Sequence, residues 1–191
     1  LTLILGPLED MQKDTSLPTK QVQKLSVIHQ SALRLLNLIN QILEFRKTET
    51  QNKKLCVCKG NLTPLIYEIG LKYKELNQKP KIDFRIQTEK EEMLLFFDKE
   101  IITIILDNLI SNAIKYTEQG RVTLSLCQTT RNEVSYTEIK VSDTGYGISA
   151  EALPHIFDRY YQESGKHQAS GTGIGLALVR NLVELHEGDI R

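Results

Sequence analysis

Asn108 and Asn112 stand four residues apart in Asp107-Asn-Leu-Ile-Ser-Asn-Ala-Ile-Lys-Tyr, a stretch of helical period, so their amides share a face with Asp107 and Lys115 nearby. An amide oxygen is a hard, neutral donor that suits Mg²⁺, which keeps waters and borrows phosphate oxygens. A lysine adds a point charge for phosphate. Taken alone, the pair reads equally well as two surface polar residues. A second block, Asp143-Thr-Gly-Tyr-Gly-Ile, comes after an alternating pattern. A carboxylate at a strand end can accept a hydrogen bond from an exocyclic amine such as that of adenine, and Gly145 and Gly147 let backbone approach a flat ring. Asp-x-Gly is also an ordinary turn. A third block, Gly171-Thr-Gly-Ile-Gly-Leu, opens a helix, where bare N–H groups and the positive end of the helix dipole form a phosphate cradle. It is not a Walker loop, because no Gly-Lys-Ser/Thr closes it. It is not a G-x-G-x-x-G turn after a strand either, and the signatures of serine/threonine protein kinases are absent.

The elements that must carry these blocks fall into two regions of different hydrophobic period. Leu25, Ile28, Ala32, Leu35, Ile39 and Ile42 have a 3-4-3-4-3 spacing, the seam of a bundle helix. With Pro18 in its first turn and an end near Thr48, this helix spans roughly 30 residues, about 45 Å. Leu1, Ile4, Leu8 and Met11 repeat the spacing upstream, with Gly6-Pro7 kinking or interrupting the segment and residues 13–19 as the turn. Such a hairpin cannot bury both its seam and Leu33, Leu36 and Leu43 alone, which points to a homodimeric four-helix bundle. Beyond Lys53 the pattern turns mixed. It predicts a strand over 55–59, a helix from Asn61 to about 78, a strand over 82–87, an apolar run over 93–97, and a helix capped by Asp98 and ending at Tyr116. Residues 121–128 and 134–142 form an antiparallel pair, 143–148 a glycine-rich loop, 150–157 a short helix, 162–170 a polar stretch, and 173–185 a last helix stopped by Gly188. Residues 188–191 look like the start of a strand. This order predicts an α+β chain: a helical hairpin over 1–52, truncated at its N-terminus, then an α/β sandwich over 53–191, truncated at its C-terminus, with helices on one face of a mixed sheet.

The bulk composition is that of a soluble globular protein: 40% hydrophobic, 25% charged, with 24 basic residues balancing 24 acidic ones. No net field exists to attract nucleic acid or an anionic membrane, so an anionic ligand must be held by local geometry. Cys56, Cys58 and Cys127 are too few for a disulfide framework or a zinc site. Cys56 and Cys58 read as a buried pair of small hydrophobes in a reducing compartment. No apolar run approaches the roughly 20 residues that span a bilayer.

In order and spacing, the three blocks resemble the N, G1 and G2 boxes of the Bergerat-type ATPase fold shared by histidine kinases, type II topoisomerases, mismatch-repair ATPases and heat-shock chaperones. Ile156-Phe-Asp-Arg-Tyr-Tyr resembles the F box of histidine kinases, and Leu35-Leu-Asn-Leu-Ile-Asn-Gln-Ile-Leu-Glu-Phe their second dimerisation helix. The match covers nearly the whole chain and selects sensor histidine kinases within the larger group. Leu3-Ile-Leu-Gly-Pro-Leu-Glu and Phe45-Arg-Lys resemble those of hybrid two-component sensors.

The resemblance implies Mg²⁺ and ATP as cofactors. Asn108 would coordinate Mg²⁺, Asn112 and Lys115 would contact phosphates, and Tyr116 would pack on adenine. Asp143 would bond the adenine amine, with Gly145, Gly147 and Ile148 shaping the pocket. Arg159, in the F box, would reach the phosphates, and Tyr160 beside it would also bind ATP. Gly171, Gly173 and Gly175 would hinge an ATP lid spanning roughly 149–170, and Thr172, Ile174 and Leu176 between and after them would also bind ATP. The implied protein is the cytoplasmic portion of an inner-membrane sensor. It would dimerise through the hairpin and relay phosphate to the aspartate of a response-regulator receiver, without touching nucleic acid.

The family's phosphoacceptor motif, His-Glu-x-x-Thr/Asn-Pro-Leu, is not in the sequence, and the opening Leu-Thr-Leu-Ile resembles the residues just past that motif's proline. His29 lacks both the acidic neighbour and the proline of that motif. His155, His167 and His186 read as structural or solvated, so the phosphoacceptor is expected upstream. Two other functions compete with the kinase. A degenerate kinase would dimerise and bind nucleotide without transfer, which the intact Asn112, Asp143 and glycine blocks oppose. A chaperone- or topoisomerase-type ATPase is opposed by the bundle helices and the lack of a transducer domain.

Overall fold

The computed structural model describes residues 2–12, 17–50, 53–77, 79–162 and 171–191. Helix α1 (Thr2–Gln12) and the 31-residue α2 (Thr19–Glu49) pack together as a hairpin. Helix α1 runs through Pro7, so Gly6-Pro7 does not interrupt it. Residues 13–16 of the expected turn lie outside the described residues. Along α2, Ile28, Leu35, Ile39 and Ile42 of the seam and the flanking Leu33 and Leu43 remain exposed. The C-terminal end of α2 behaves differently: Phe45 is buried among Ile101, Ile105, Ile174 and Leu178 of the second region.

That region begins with strand β1 (Cys58–Asn61), helix α3 (Leu62–Leu76), strand β2 (Ile82–Thr88), strand β3 (Leu94–Phe97) and helix α4 (Lys99–Tyr116). Strands β4 (Gly120–Arg131) and β5 (Val134–Asp143) and helix α5 (Gly175–Leu185) come next. Strands β1 and β3 form an antiparallel ribbon, while β2, β4 and β5 form a mixed sheet in which β2 runs parallel and β5 antiparallel to β4. The period-2 alternation of β4 sends Val122, Leu124 and Leu126 to one face. There they meet Ile66 and Ile69 of α3 and Leu106, Ile110 and Ala113 of α4 in one core. The expected layering, helices on one face of a mixed sheet, is what forms.

Four sequence expectations are corrected. Cys56 and Cys58 are exposed rather than a buried pair, because the first strand starts at Cys58 and only its ribbon partner covers it. The predicted helix over 150–157 is a single 3₁₀ turn, Leu153–His155, since Pro154 supplies no backbone donor to extend it. Residues 188–191 adopt no strand. The last helix starts at Gly175 and is not stopped by a left-handed glycine. Glu187 takes the left-handed conformation, φ 56°, while Gly188 N–H donates to Val183 O at 2.9 Å and Glu187 N–H to Glu184 O at 3.0 Å. This is a Schellman closure with a side chain where glycine is favoured. Glu187→Gly is therefore expected to raise stability by about 0.5–1 kcal/mol, read as a higher urea midpoint at unchanged slope.

Asp98 ties three elements together. Its carboxylate accepts the N–H of Ile101 at 3.1 Å, capping α4, and the N–H of Cys56 at 2.7 Å, while its own N–H donates to His186 Nε2 at 3.1 Å. Burial opposes ionisation, but the N–H groups of Cys56, Ile101 and Glu100, with Lys53 nearby, outweigh it and hold the carboxyl below the usual aspartate value. A depressed folded-state pKa contributes stability that is present above the unfolded value and lost as pH falls through the folded one. Asp98→Asn is thus expected to narrow the gap to wild type as pH drops below about 4, while costing about 1–2 kcal/mol at pH 7. Urea midpoints measured between pH 3 and 7 check this; parallel curves for the two proteins would refute it.

Candidate nucleotide-binding site

Helix α4 carries the first block because its apolar residues hold it in the core while Asn108, Asn112 and Lys115 line its opposite flank. The Asp98 cap fixes its start. At its end, Lys79 Nζ donates to the carbonyls of Ile114 at 2.7 Å and Thr117 at 2.9 Å, satisfying groups that a helix C-terminus leaves open. The second block leaves β5 and folds back onto this end. Gly145 N–H donates to Asp143 Oδ1 at 2.9 Å, and Tyr146 N–H to Tyr116 O at 3.3 Å. Thr144 is pinned to β4, its Oγ1 accepting the N–H of Arg121 at 2.9 Å. The third block leads into α5, with Thr172 Oγ1 accepting the N–H of Ile174 at 3.1 Å.

These segments enclose one cavity of about 1330 Å³. Asn108, Asn112, Lys115, Tyr116, Asp143, Gly147, Ile148, Gly171, Thr172, Gly173, Gly175 and Leu176 all line it. Asp143 is exposed to the cavity and uses Oδ1 on Gly145, which leaves Oδ2 for an amine donor. Lys115 Nζ lies 4.6 Å from the centroid of the Tyr116 ring and donates to its hydroxyl at 3.1 Å. Asn108 and Tyr116 are eight residues apart on α4, about 12 Å along its axis, so the cavity is long enough to have two ends.

Four residues expected in the site stand outside its lining. Gly145 presses against backbone, where a Cβ would lie 2.4 Å from Tyr116 O. Ile174 is buried in the core between α2, α4 and α5. Tyr160 turns outward, φ 61°, with its N–H donating to Gly173 O at 2.9 Å. Arg159 points at α2, paired with Glu49 and stacked 5.0 Å from the Phe45 ring centroid. Asp107 also turns away, accepting from Lys72 Nζ at 3.0 Å on α3. Residues 163–170 of the expected lid, including His167, lie outside the described residues.

Sequence reasoning missed Gln41, which reaches the cavity from α2. Its Nε2 donates to Asn108 Oδ1 at 3.0 Å, and its Oε1 accepts from Thr172 Oγ1 at 3.4 Å. Nothing in the spacing of α2 distinguishes Gln41 from other polar positions. Ile139 and Val141, also in the lining, are inward positions of a β5 alternation that was legible. Among the described residues, no three His, Cys, Asp or Glu side chains converge on a common point, and no helix is long and apolar enough to cross a membrane.

A glycine block opening a helix, an amide-bearing helix and a strand-end carboxylate around one cavity define an ATPase domain of a particular class. Residues 97–191 match the family described as histidine kinase-, DNA gyrase B-, and HSP90-like ATPase. The full chain is 35% identical to "Histidine kinase P4" of Formosa agariphila and 31% identical to "Hybrid signal transduction histidine kinase D" of Dictyostelium discoideum. It spans 14% and 12% of their lengths. The crystal structure of full-length ShkA in complex with AMPPNP superposes with a TM-score of 0.72 at 23% identity, over 96% of this chain and 39% of that one. The chain carries a sensor histidine kinase catalytic domain in the Bergerat fold, with a helical segment preceding it.

Proposed function

We propose that the cavity binds ATP with Mg²⁺ and that the chain is the ATP-binding core of a protein-histidine kinase. The γ-phosphoryl group would pass to a histidine outside these 191 residues and then to a receiver aspartate. The observation that carries this reading is that Asp143, Asn112 and Gly173 face one cavity although they come from three distant parts of the sequence. Asp143 Oδ2 accepts the adenine amine, Tyr116 and Ile148 flank the ring, and Asn112 with Lys115 holds phosphate oxygens. The bare N–H groups that open α5 receive the remaining phosphate charge. Asn108 is the donor for the metal: an amide oxygen combined with phosphate oxygens and water suits Mg²⁺. When bound, the ion neutralises charge developing on the transferring phosphoryl group. The residues of the chain otherwise work by positioning and by exclusion of water.

The relatives' names support transfer to histidine, and the exposed seam of α2 supports a homodimer formed through the hairpin in domain 1–52. Of the described histidines, His155 is paired with Asp158 at 2.8 Å, His186 accepts from Asp98, and His29 is half-buried on α2. Incubation of the chain with γ-labelled ATP is expected to give saturable, Mg²⁺-dependent binding and no stable label on the protein. Absence of binding would refute the nucleotide site, and acid-labile label on any of its own histidines would refute the external acceptor.

A further inference from the structure

The metal donor is not free in this structure. Asn108 is buried, its Nδ2 donates to Ile104 O at 2.8 Å, and its Oδ1 carries the 3.0 Å hydrogen bond from Gln41. On the other side, a Cβ at Gly175 would lie 2.9 Å from the same oxygen, so the start of α5 closes that approach. Gln41 also engages Thr172 in the glycine block. It does so from a helix that is anchored: Phe45 is buried beneath it, Glu49 pairs with Arg159, and Asn181 Nδ2 donates to Thr48 Oγ1 at 3.4 Å. Among the described residues of α2, Gln41 alone lines the cavity, and its hydrogen bonds fall at the end marked by Asn108 and Thr172.

We propose that Gln41 is a latch: with α2 docked it occupies the metal-and-phosphate end of the cavity, so that helix docking and Mg²⁺–triphosphate binding compete while the purine end stays open. The inference rests on the nucleotide reading of the cavity. Its consequence is reciprocal. Whatever pulls α2 away from α5 tightens the grip on Mg²⁺–ATP, and Mg²⁺–ATP in turn drives α2 off, by the same factor. A ligand with no phosphate tail gains nothing from undocking and shifts nothing.

Calorimetric titration of the 191-residue chain and its Gln41→Ala variant, with AMP and with a non-hydrolysable ATP analogue, each in Mg²⁺ and in EDTA, tests this. The affinity for AMP is expected to agree between the two proteins within about twofold. The tightening of the triphosphate on adding Mg²⁺ is expected to be larger in Gln41→Ala by about fivefold or more, the range of ordinary coupling energies. Glu49→Ala, which removes the ion pair with Arg159 at a position outside the cavity lining, is expected to move the Mg²⁺ effect in the same direction. An unchanged Mg²⁺ effect in both variants, with AMP still bound, overturns the latch alone. A parallel change in AMP affinity also overturns it, because Gln41 would then be an ordinary part of the wall. Failure of wild type to bind either ligand overturns the nucleotide reading, and the latch with it.

Discussion

Asp143→Ala is expected to weaken binding of adenine nucleotides by about ten- to a hundredfold, the cost of losing one hydrogen bond to a charged acceptor, about 1.5–3 kcal/mol. The carboxylate sits at the end of β5 with Oδ1 already held by Gly145 N–H, so its orientation is set before any ligand arrives. Preorganisation of this kind avoids ordering costs on binding. Asp143→Asn separates charge from shape. The amide can keep the bond to Gly145 through its oxygen, but it then presents N–H donors to the ligand's amine. It is expected to lose nearly as much affinity for adenine as the alanine variant and to lose less for guanine, whose corresponding group is an acceptor. Fluorescence titration with labelled ADP and competition by unlabelled purine nucleotides measures both. Equal affinity for adenine in wild type and Asp143→Ala would remove the carboxylate from recognition.

Gly145→Ala is expected to damage the same site by another route. The added methyl would lie 2.4 Å from Tyr116 O, and 2.9 Å from both Tyr116 C and Asp143 Oδ1. The first two are main-chain atoms, which cannot rotate aside as a flexible side chain would. The loop must therefore withdraw from the end of α4, which breaks the 3.3 Å bond from Tyr146 N–H to Tyr116 O and tilts Asp143 out of position. Overpacking of this kind costs about 1–3 kcal/mol. That is several degrees of melting temperature for a chain of this size, with loss of nucleotide affinity beyond it. Gly6→Ala provides the control, because a Cβ there meets nothing within 4 Å on helix α1. It should leave binding alone and raise stability slightly. Thermal melts with and without Mg²⁺–ADP would show ligand-induced stabilisation kept in Gly6→Ala and lost in Gly145→Ala. Retention of both stability and affinity in Gly145→Ala would mean that the loop can give way without disturbing the carboxylate.

The sequence by itself determined those features whose causes lie within a few residues. Asn61 and Asp98 announce their helices because a capping side chain answers N–H groups two or three positions ahead. The alternation of Val122, Leu124 and Leu126 specifies a half-buried strand, and the amides of Asn108 and Asn112 share a face because a helix turns every 3.6 residues. The glycine block at the opening of the last helix was legible for the same local reason. Tertiary structure decided everything that depends on which surfaces meet. It buried Ile174 as core, turned Arg159 toward Glu49 and Phe45 instead of the cavity, and left Cys56 and Cys58 in solvent. It also set Gln41 on Asn108, a contact between residues 67 positions apart. A side chain's neighbours along the chain fix its conformation, but its partner across a packed interface depends on how whole helices dock, and no spacing rule encodes that.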